Sequence, residues 1–367
     1  MIIREIITYL ESVAPPAYQE SYDNAGLIIG DPEMIITSAM ITLDVTEAVI
    51  DEAIEAGCEL IIAHHPILFK GVKRLNGNTY VERCVIKAIK NDIAIYAAHT
   101  NLDSVIGGVN ARICEKIGLT NLSILAPAKD QLLKLVTFVP DDHLDKVREA
   151  LFNAGAGAIG NYDKCSFGTS GTGTFRGGED SNPYVGEVGK LHFENETRLE
   201  TIIPRHLKNN VLNILLKTHP YEEVAYDIYP LENTLQQVGS GMIGELPGAE
   251  HEIDFLSRLL QIFGCKSIRH TYLLGNSVKK VAVCGGSGSF LLSAAIKAGA
   301  DVFVTADMKY HEFFDAEEKI VIADIGHYES EQFTRELFYE ILIKKFPNFA
   351  LRLSEVKTNP VLYLGEQ

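Results

Sequence analysis

The sequence predicts an α/β protein made of two related parallel-sheet lobes, with an α+β sandwich inserted between them. Three observations predict it. Uninterrupted apolar strands alternate with helical periods at the start of the chain and again after Leu231, the stretch between them follows a different order, and the two outer stretches match each other at one constant offset. A chain of 367 residues suffices for two or three domains, each with its own core. We place the boundaries at residues 1–128, 129–233 and 234–367.

Residues 38–65 read as strand (AMITLDV), helix (TEAVIDEAIEAG) and strand (ELIIAHHP). Continuous apolar runs suit a parallel sheet covered on both faces, because each strand then buries both of its sides. A helix over residues 80–91 leads to a further strand, IAIYAAHT, which again ends at a histidine. From Leu133 the order becomes strand KLVTFVP, helix DHLDKVREALFNAG, a glycine-rich stretch, strand TRLETIIP, helix LKNNVLNILLKTH and strand VAYDIYPL. Two βαβ halves of this length describe a ferredoxin-like sandwich, with residues 165–189 as a long hairpin or loop. No GxxxxGK[ST] accompanies those glycines, so a hairpin tip is expected rather than a phosphate cradle. After Leu231 the first pattern returns as strand VKKVAVCGG, helix SFLLSAAIKAG, strand ADVFVTAD, strand KIVIADIGH and a long closing helix. Residues 56–63 (AGCELIIA) align with 298–305 (AGADVFVT), and the same offset sets Ile41 on Val283. Collinear matches of this kind are what duplication of a lobe leaves behind.

Charge and cysteine usage narrow the partners. Lys and Arg total 33 against 49 Asp and Glu, a net charge of -16, and such a field repels nucleic-acid phosphates and anionic lipid. No apolar run approaches the roughly 18 residues of a membrane span. Cys58, Cys84, Cys114, Cys165, Cys265 and Cys284 form no CxxC pair, and the amino end (MIIREIITYLES) has no secretory pattern. The expectation is a cytoplasmic chain with reduced thiols.

Open parallel sheets bind ligands at the carboxyl ends of their strands, and there stand His64, His65, Asp103, His327 and Glu331. His64 and His65 precede Pro66, which keeps the chain extended, so their rings are expected to point to opposite sides. His327 and Glu331, four apart, are expected on one helix face. Each histidine alone is more readily a satisfied core or loop residue than a ligand. Together, imidazole and carboxylate are the ligand set of borderline divalent metals, and five such groups suffice for a bridged pair of ions in an open, catalytic-type site. Histidine ligation needs neutral rings, which predicts affinity falling below roughly pH 6.5. His99 ends its strand as His327 does and is read as a ligand or, in preference, as a support for the ligands. Asp44 and Asp307 are strand-end acids suited to orienting a histidine or acting as a base. Gly285–Ser289 (GGSGS) follows a strand and opens a helix, where tight packing or anion binding are both open. His219-Pro-Tyr-Glu-Glu reads as a turn, with a lesser metal site as the alternative.

The segments YDNAGLIIG (22–30), IIAHHPILFKG (61–71), YAAHTNLD (96–103), HPYEEVAYDIYPLEN (219–233) and DIGHYESE (324–331) resemble, in order, the NIF-three-like family. Its bacterial members bear the label GTP cyclohydrolase I type 2 homologue. The resemblance implies a homohexameric ring and a pair of divalent ions per subunit (zinc, iron, manganese or magnesium) on His64, His65, Asp103, His327 and Glu331. It also implies a PII- or CutA-like inserted domain. The activity it implies is hydrolytic opening of the GTP imidazole ring with loss of formate; a phosphoester hydrolase or a non-enzymatic metal scaffold would use the same centre. Tyr22 stands where the family has tryptophan, which this chain lacks altogether.

Overall fold

Strands that are apolar at every position need cover on both faces, and the tertiary structure supplies it. The computed structural model describes residues 1–364. In chain order the strands are β1 (Gly26–Ile29), β2 (Ser38–Thr42), β3 (Leu60–Ala63), β4 (Ala94–Ala97), β5 (Thr120–Ala128), β6 (Leu132–Pro140), β7 (Ser166–Phe175) and β8 (His192–Pro204). There follow β9 (Tyr226–Pro230), β10 (Leu235–His251), β11 (Arg269–His270), β12 (Ser277–Ser287), β13 (Val302–Ala306), β14 (Val321–Asp324) and β15 (Ala350–Leu353). They make three sheets, ordered β1-β4-β3-β2-β15, β11-β14-β13-β12-β10-β5 and β7-β8-β6-β9. The chain divides into two compact units: Met1–Ala126 together with the residues from Gln237 onward, and Pro127–Gln236.

In the larger unit β2, β3 and β4 run parallel, as do β12, β13 and β14. Neither sheet is parallel throughout, however. β1 is antiparallel to β4, β10 to β12 and β11 to β14. Of these, β1 is only partly buried and β11 exposed, so they lack the continuous apolar run by which the central strands are read. Alternate residues on the central strands face opposite ways. Ile41, Ile62 and Tyr96 of one sheet and Val283, Val304 and Ala323 of the other share one core with the helices Ile3–Val13, Val109–Ile117, Glu252–Phe263 and Thr334–Lys345. Met40, Ile61 and Ile95 pack instead under the helices Glu47–Glu55 and Tyr80–Lys90, while Ala282, Phe303 and Ile322 pack under Leu292–Lys297. The last strand, β15, joins the first sheet parallel to β2, with Leu353 opposite Ile41.

The smaller unit runs β6, helix Leu144–Asn153, β7, β8, helix Lys208–Thr218, β9, with every strand pair antiparallel. Leu133, Leu135, Val139, Leu199 and Ile203 bury one sheet face against Val147, Leu151, Val211 and Leu215 of the two helices. Of the hairpin and the loop expected for the glycine-rich stretch, the structure has the hairpin: Ser166–Phe175 is a strand paired antiparallel along its whole length with β8. Its glycines, serines and threonines carry no apolar pattern, because it is an exposed edge held by the backbone ladder. All six cysteines are free. Among the described residues no helix is long and apolar enough to cross a membrane.

Candidate metal centre

The carboxyl ends of the parallel strands in both sheets open on one cleft of about 880 Å³ in the larger unit. After β3 the chain bends, and the N–H groups of His64 and His65 both donate to the Leu43 carbonyl, at 3.1 and 3.0 Å. The extended geometry that would send their rings apart ends at Ala63. The two rings lie side by side, their centroids 4.9 Å apart.

Each imidazole is anchored at Nδ1. His64 Nδ1 meets the Ala98 carbonyl at 2.9 Å, His65 Nδ1 meets Asp44 Oδ1 at 2.7 Å, and His327 Nδ1 meets Asp307 Oδ2 at 2.6 Å. His99 Nδ1 meets Asp23 Oδ1 at 2.8 Å. A carbonyl or carboxylate oxygen only accepts, so each Nδ1 carries the proton and the neutral ring presents a bare lone pair at Nε2.

The Nε2 atoms converge. His64 Nε2 lies 3.6 Å from Asp103 Oδ1 and 3.9 Å from Glu331 Oε1. His65 Nε2 and His327 Nε2 each lie 3.0 Å from Glu331 Oε2, and 3.3 Å from one another. His64 Nε2 and Asp103 Oδ1 are buried and make no hydrogen bond, and Glu331 Oε2 faces the two imidazole nitrogens beside them. Buried polar atoms are normally satisfied, so these two call for a partner. The ligand atoms of His65, His327 and Glu331 lie within 4.8 Å of one another, and so do those of His64, His65 and His99, a spacing at which a metal ion fits. His99, read from sequence as a support, thus stands within ligand reach.

Local backbone explains the placement. The helix His327–Glu331 puts His327 and Glu331 one turn apart, as expected. Gly286 has φ +61°, and a Cβ there would sit 2.4 Å from Glu331 Oε1, so only glycine admits the carboxylate. The GGSGS segment holds no free anion cradle at its start, since the N–H groups of Gly285 and Gly286 donate to Asn110 Oδ1 (2.9 Å) and Ser330 Oγ (3.0 Å). His99 and Asp103 are four apart, as His327 and Glu331 are, but the two pairs do not superpose. The offset that equates Ala63 with Thr305 sets Ala97, opposite Ala63, level with Asp324, opposite Thr305. His99 then precedes its helix, whereas His327 is the first residue of its own.

Burial and charge push the groups apart in pKa. Desolvation lowers His64 to about 3, so its ring stays neutral. For His65 and His327 desolvation also works downward, but Glu331 with Asp44 or Asp307 outweighs it and raises them to about 9 and about 11. Burial, then the Glu331 charge, holds Asp103 well above the carboxylate range. Glu331 lies below that range because the charges and hydrogen bonds of His327 and His65 outweigh its burial. Burial works to raise Asp23 as well, but the bonds from His99 and Thr100 lower it to about 2.

Asp44 and Asp307 therefore orient histidines, one of the two roles open to them in sequence. Asp23, from the YDNAG segment, does the same for His99; it was missed because 76 residues separate them. Thr358, which hydrogen-bonds Asp44 at 2.6 Å, had no signal at all. His219 is no ligand: its Nε2 donates to the Phe138 carbonyl (2.9 Å) and its Nδ1 accepts from the Tyr221 N–H (3.1 Å).

The family model described as Duf34/NIF3 (NGG1p interacting factor 3) matches residues 1–360. A protein of Halalkalibacterium halodurans named GTP cyclohydrolase 1 type 2 homolog is 42% identical over 364 residues, covering 98% of each chain. Its namesake in Bacillus subtilis is 41% identical over 367 residues, again covering 98% of each. The crystal structure of a Bacillus cereus protein related to NIF3 superposes with a TM-score of 0.85 at 40% identity over 99% of both chains. With a family model spanning nearly the whole sequence and relatives of this identity along their full length, the chain belongs to the Duf34/NIF3 family.

Proposed function

We propose that the cleft holds two adjacent divalent ions per subunit and that the protein is a metal-dependent hydrolase acting on a purine nucleotide ring. The shared carboxylate carries this reading. Glu331 turns Oε1 toward His64, the neighbour of Asp103, and Oε2 toward His65 and His327, so two cations would have one anion between them. The buried atoms that lack hydrogen bonds fit such ions, and the nitrogen and oxygen donors suit zinc, iron, manganese or magnesium. Two ions of this kind supply activation of water at neutral pH and stabilisation of developing negative charge. The chain's own residues supply position: Asp44, Asp307 and Asp23 hold three imidazoles, and the exposed rings of Tyr22, Phe69, Tyr80 and Phe290 around the cleft offer faces for a flat heterocycle. The name borne by the relatives supports GTP as that heterocycle's source, with imidazole-ring opening and formate release as the reaction.

Around this centre we read the lobes as duplicates, supported by equal register at the constant offset: Ile41 opposite Ile62, and Val283 opposite Val304. The βαββαβ order of the smaller unit supports a ferredoxin-like module of the PII or CutA kind. The resemblance further supports a ring of six, and the six free cysteines support a cytoplasmic setting. Elemental analysis of purified protein, followed by chromatography of its products from GTP and a panel of phosphoesters, tests the function. Two ions per chain with formate release support it. Phosphoester turnover alone moves the substrate class, two ions without turnover leave a metal-holding scaffold, and a chain that retains no ion removes the centre.

A further inference from the structure

We infer that Thr358, on the segment after β15, is a positioning residue for the metal centre, fixing the orientation of His65 through Asp44. The inference rests on the metal reading above and goes beyond its ligands. The segment is held firmly at its root. The Ser354 N–H donates to the Ile41 carbonyl (2.9 Å), the Ser354 hydroxyl to Glu52 Oε2 (2.5 Å) and the Glu355 N–H to Glu52 Oε1 (2.7 Å). Arg335 donates to the Ser354 carbonyl at 2.9 Å, from the helix Thr334–Lys345.

Four residues on, the Thr358 hydroxyl donates to Asp44 Oδ2 at 2.6 Å, while Asp44 Oδ1 holds His65 Nδ1 at 2.7 Å. The next side chain, Asn359, donates to Glu329 Oε1 at 2.9 Å, and Pro360, Val361 and Tyr363 line the cleft. The strap thus forms one wall of the site, and Asp44 is bonded at both oxygens, by Thr358 of the strap at one and by His65 at the other. A carboxylate bonded at one oxygen can swing; bonded at both, it fixes the plane of the imidazole beyond it.

The opposite side of the centre lacks this brace. Asp307 holds His327, but among the described residues no other side chain hydrogen-bonds Asp307, and its side chain is 50% exposed against 32% for Asp44. The His65 side is accordingly prepared before an ion arrives, and the preparation comes from the far end of the chain.

The test uses the full chain with Co²⁺ and Zn²⁺ alone. Affinity is read by competition with a chelator, the Co²⁺ absorption spectrum reports the ligand field, and thermal unfolding of the metal-free form reports the fold. Thr358→Val should weaken one of the two ions by about tenfold, the low end for loss of an outer partner, and alter the Co²⁺ spectrum. Thr358→Ser should restore both readouts. Adding Thr358→Val to Asp44→Asn should cost nothing further, because the hydroxyl acts only through that carboxylate. Unchanged affinity and spectrum in a folded Thr358→Val chain overturn the inference, as does a Thr358→Val loss that simply adds to that of Asp44→Asn. If the parent chain itself binds no divalent ion, the metal reading falls, a result distinct from both.

Discussion

The Nε2 atoms of His65 and His327, 262 residues apart in sequence, face each other at 3.3 Å. Each ring is turned that way by a carboxylate behind it, Asp44 or Asp307, and both nitrogens approach the same oxygen of Glu331. Without metal the two rings hold protons against that carboxylate, and a cation bound there would take the place of those protons.

Glu331→Gln should therefore empty the centre, since a neutral amide cannot offset two adjacent dications. Asp103→Asn, which touches only the His64 side, should lower occupancy from two ions toward one. Elemental analysis of both variants checks this, with far-ultraviolet circular dichroism to show that the apolar strands still fold. Two tightly held ions in each variant would remove both carboxylates from the ligand set.

Proton release should accompany metal uptake at and above neutral pH, and not only near the ordinary histidine value. Without metal, His65 and His327 titrate near 9 and 11 and are charged at pH 7.5; to bind a cation through Nε2 each gives up a proton, about two in all. Calorimetry in buffers of differing ionisation enthalpy measures the number. The stability of the metal-free chain follows the same shifts. These two raised groups contribute fully below pH 6.5, and their contribution is lost as pH rises through about 9 and about 11. His64, lowered to about 3, acts in the opposite sense, and its contribution is lost as pH falls from 6.5 toward 3. Denaturation midpoints of chelator-treated protein across pH 5 to 10 should show the decline on the alkaline side, and metal should suppress it.

Gly286→Ala should harm both fold and site. The positive φ alone costs an alanine about 1–3 kcal/mol, and the new Cβ would lie 2.4 Å from Glu331 Oε1. A lower denaturation midpoint together with weaker metal binding is expected. Gly299→Ala, also at positive φ (+71°) but with open space around its Cβ, should lower stability without touching the metal.

Excising Pro127–Gln236 with a short linker should leave two ions bound, because His64, His65, Asp103, His327 and Glu331 all belong to the larger unit and its three-part core needs no residue from the other. The join is practicable because β5 and β10, which flank the excised stretch, are neighbours in one sheet. Loss of metal from a folded, excised chain would place part of the centre in the smaller unit.

Much of the architecture was legible because local periodicity encodes it. AMITLDV, ELIIAHHP and ADVFVTAD are apolar at successive positions since their strands are covered on both faces, and all three lie at the centres of their sheets. β7 and β11 were illegible for the same reason reversed: an exposed edge needs no apolar side chain, only a neighbour's backbone. His64, His65, Asp103, His327 and Glu331 could be picked from sequence because each follows a strand that a parallel sheet must end on one side.

By itself, then, the sequence determined which strands are central, where their carboxyl ends lie, and which imidazoles and carboxylates stand there. Those properties depend on a residue and its near neighbours. Tertiary structure alone decided that His64 and His65 lie side by side rather than apart, that Asp23 bonds His99 and Thr358 bonds Asp44, that His99 comes within ligand reach, and that Glu331 turns one oxygen toward His64 and the other toward His65 and His327. Such relationships hang on backbone bends and on the packing of two sheets around a common core, so they join residues up to 314 positions apart that no local period relates.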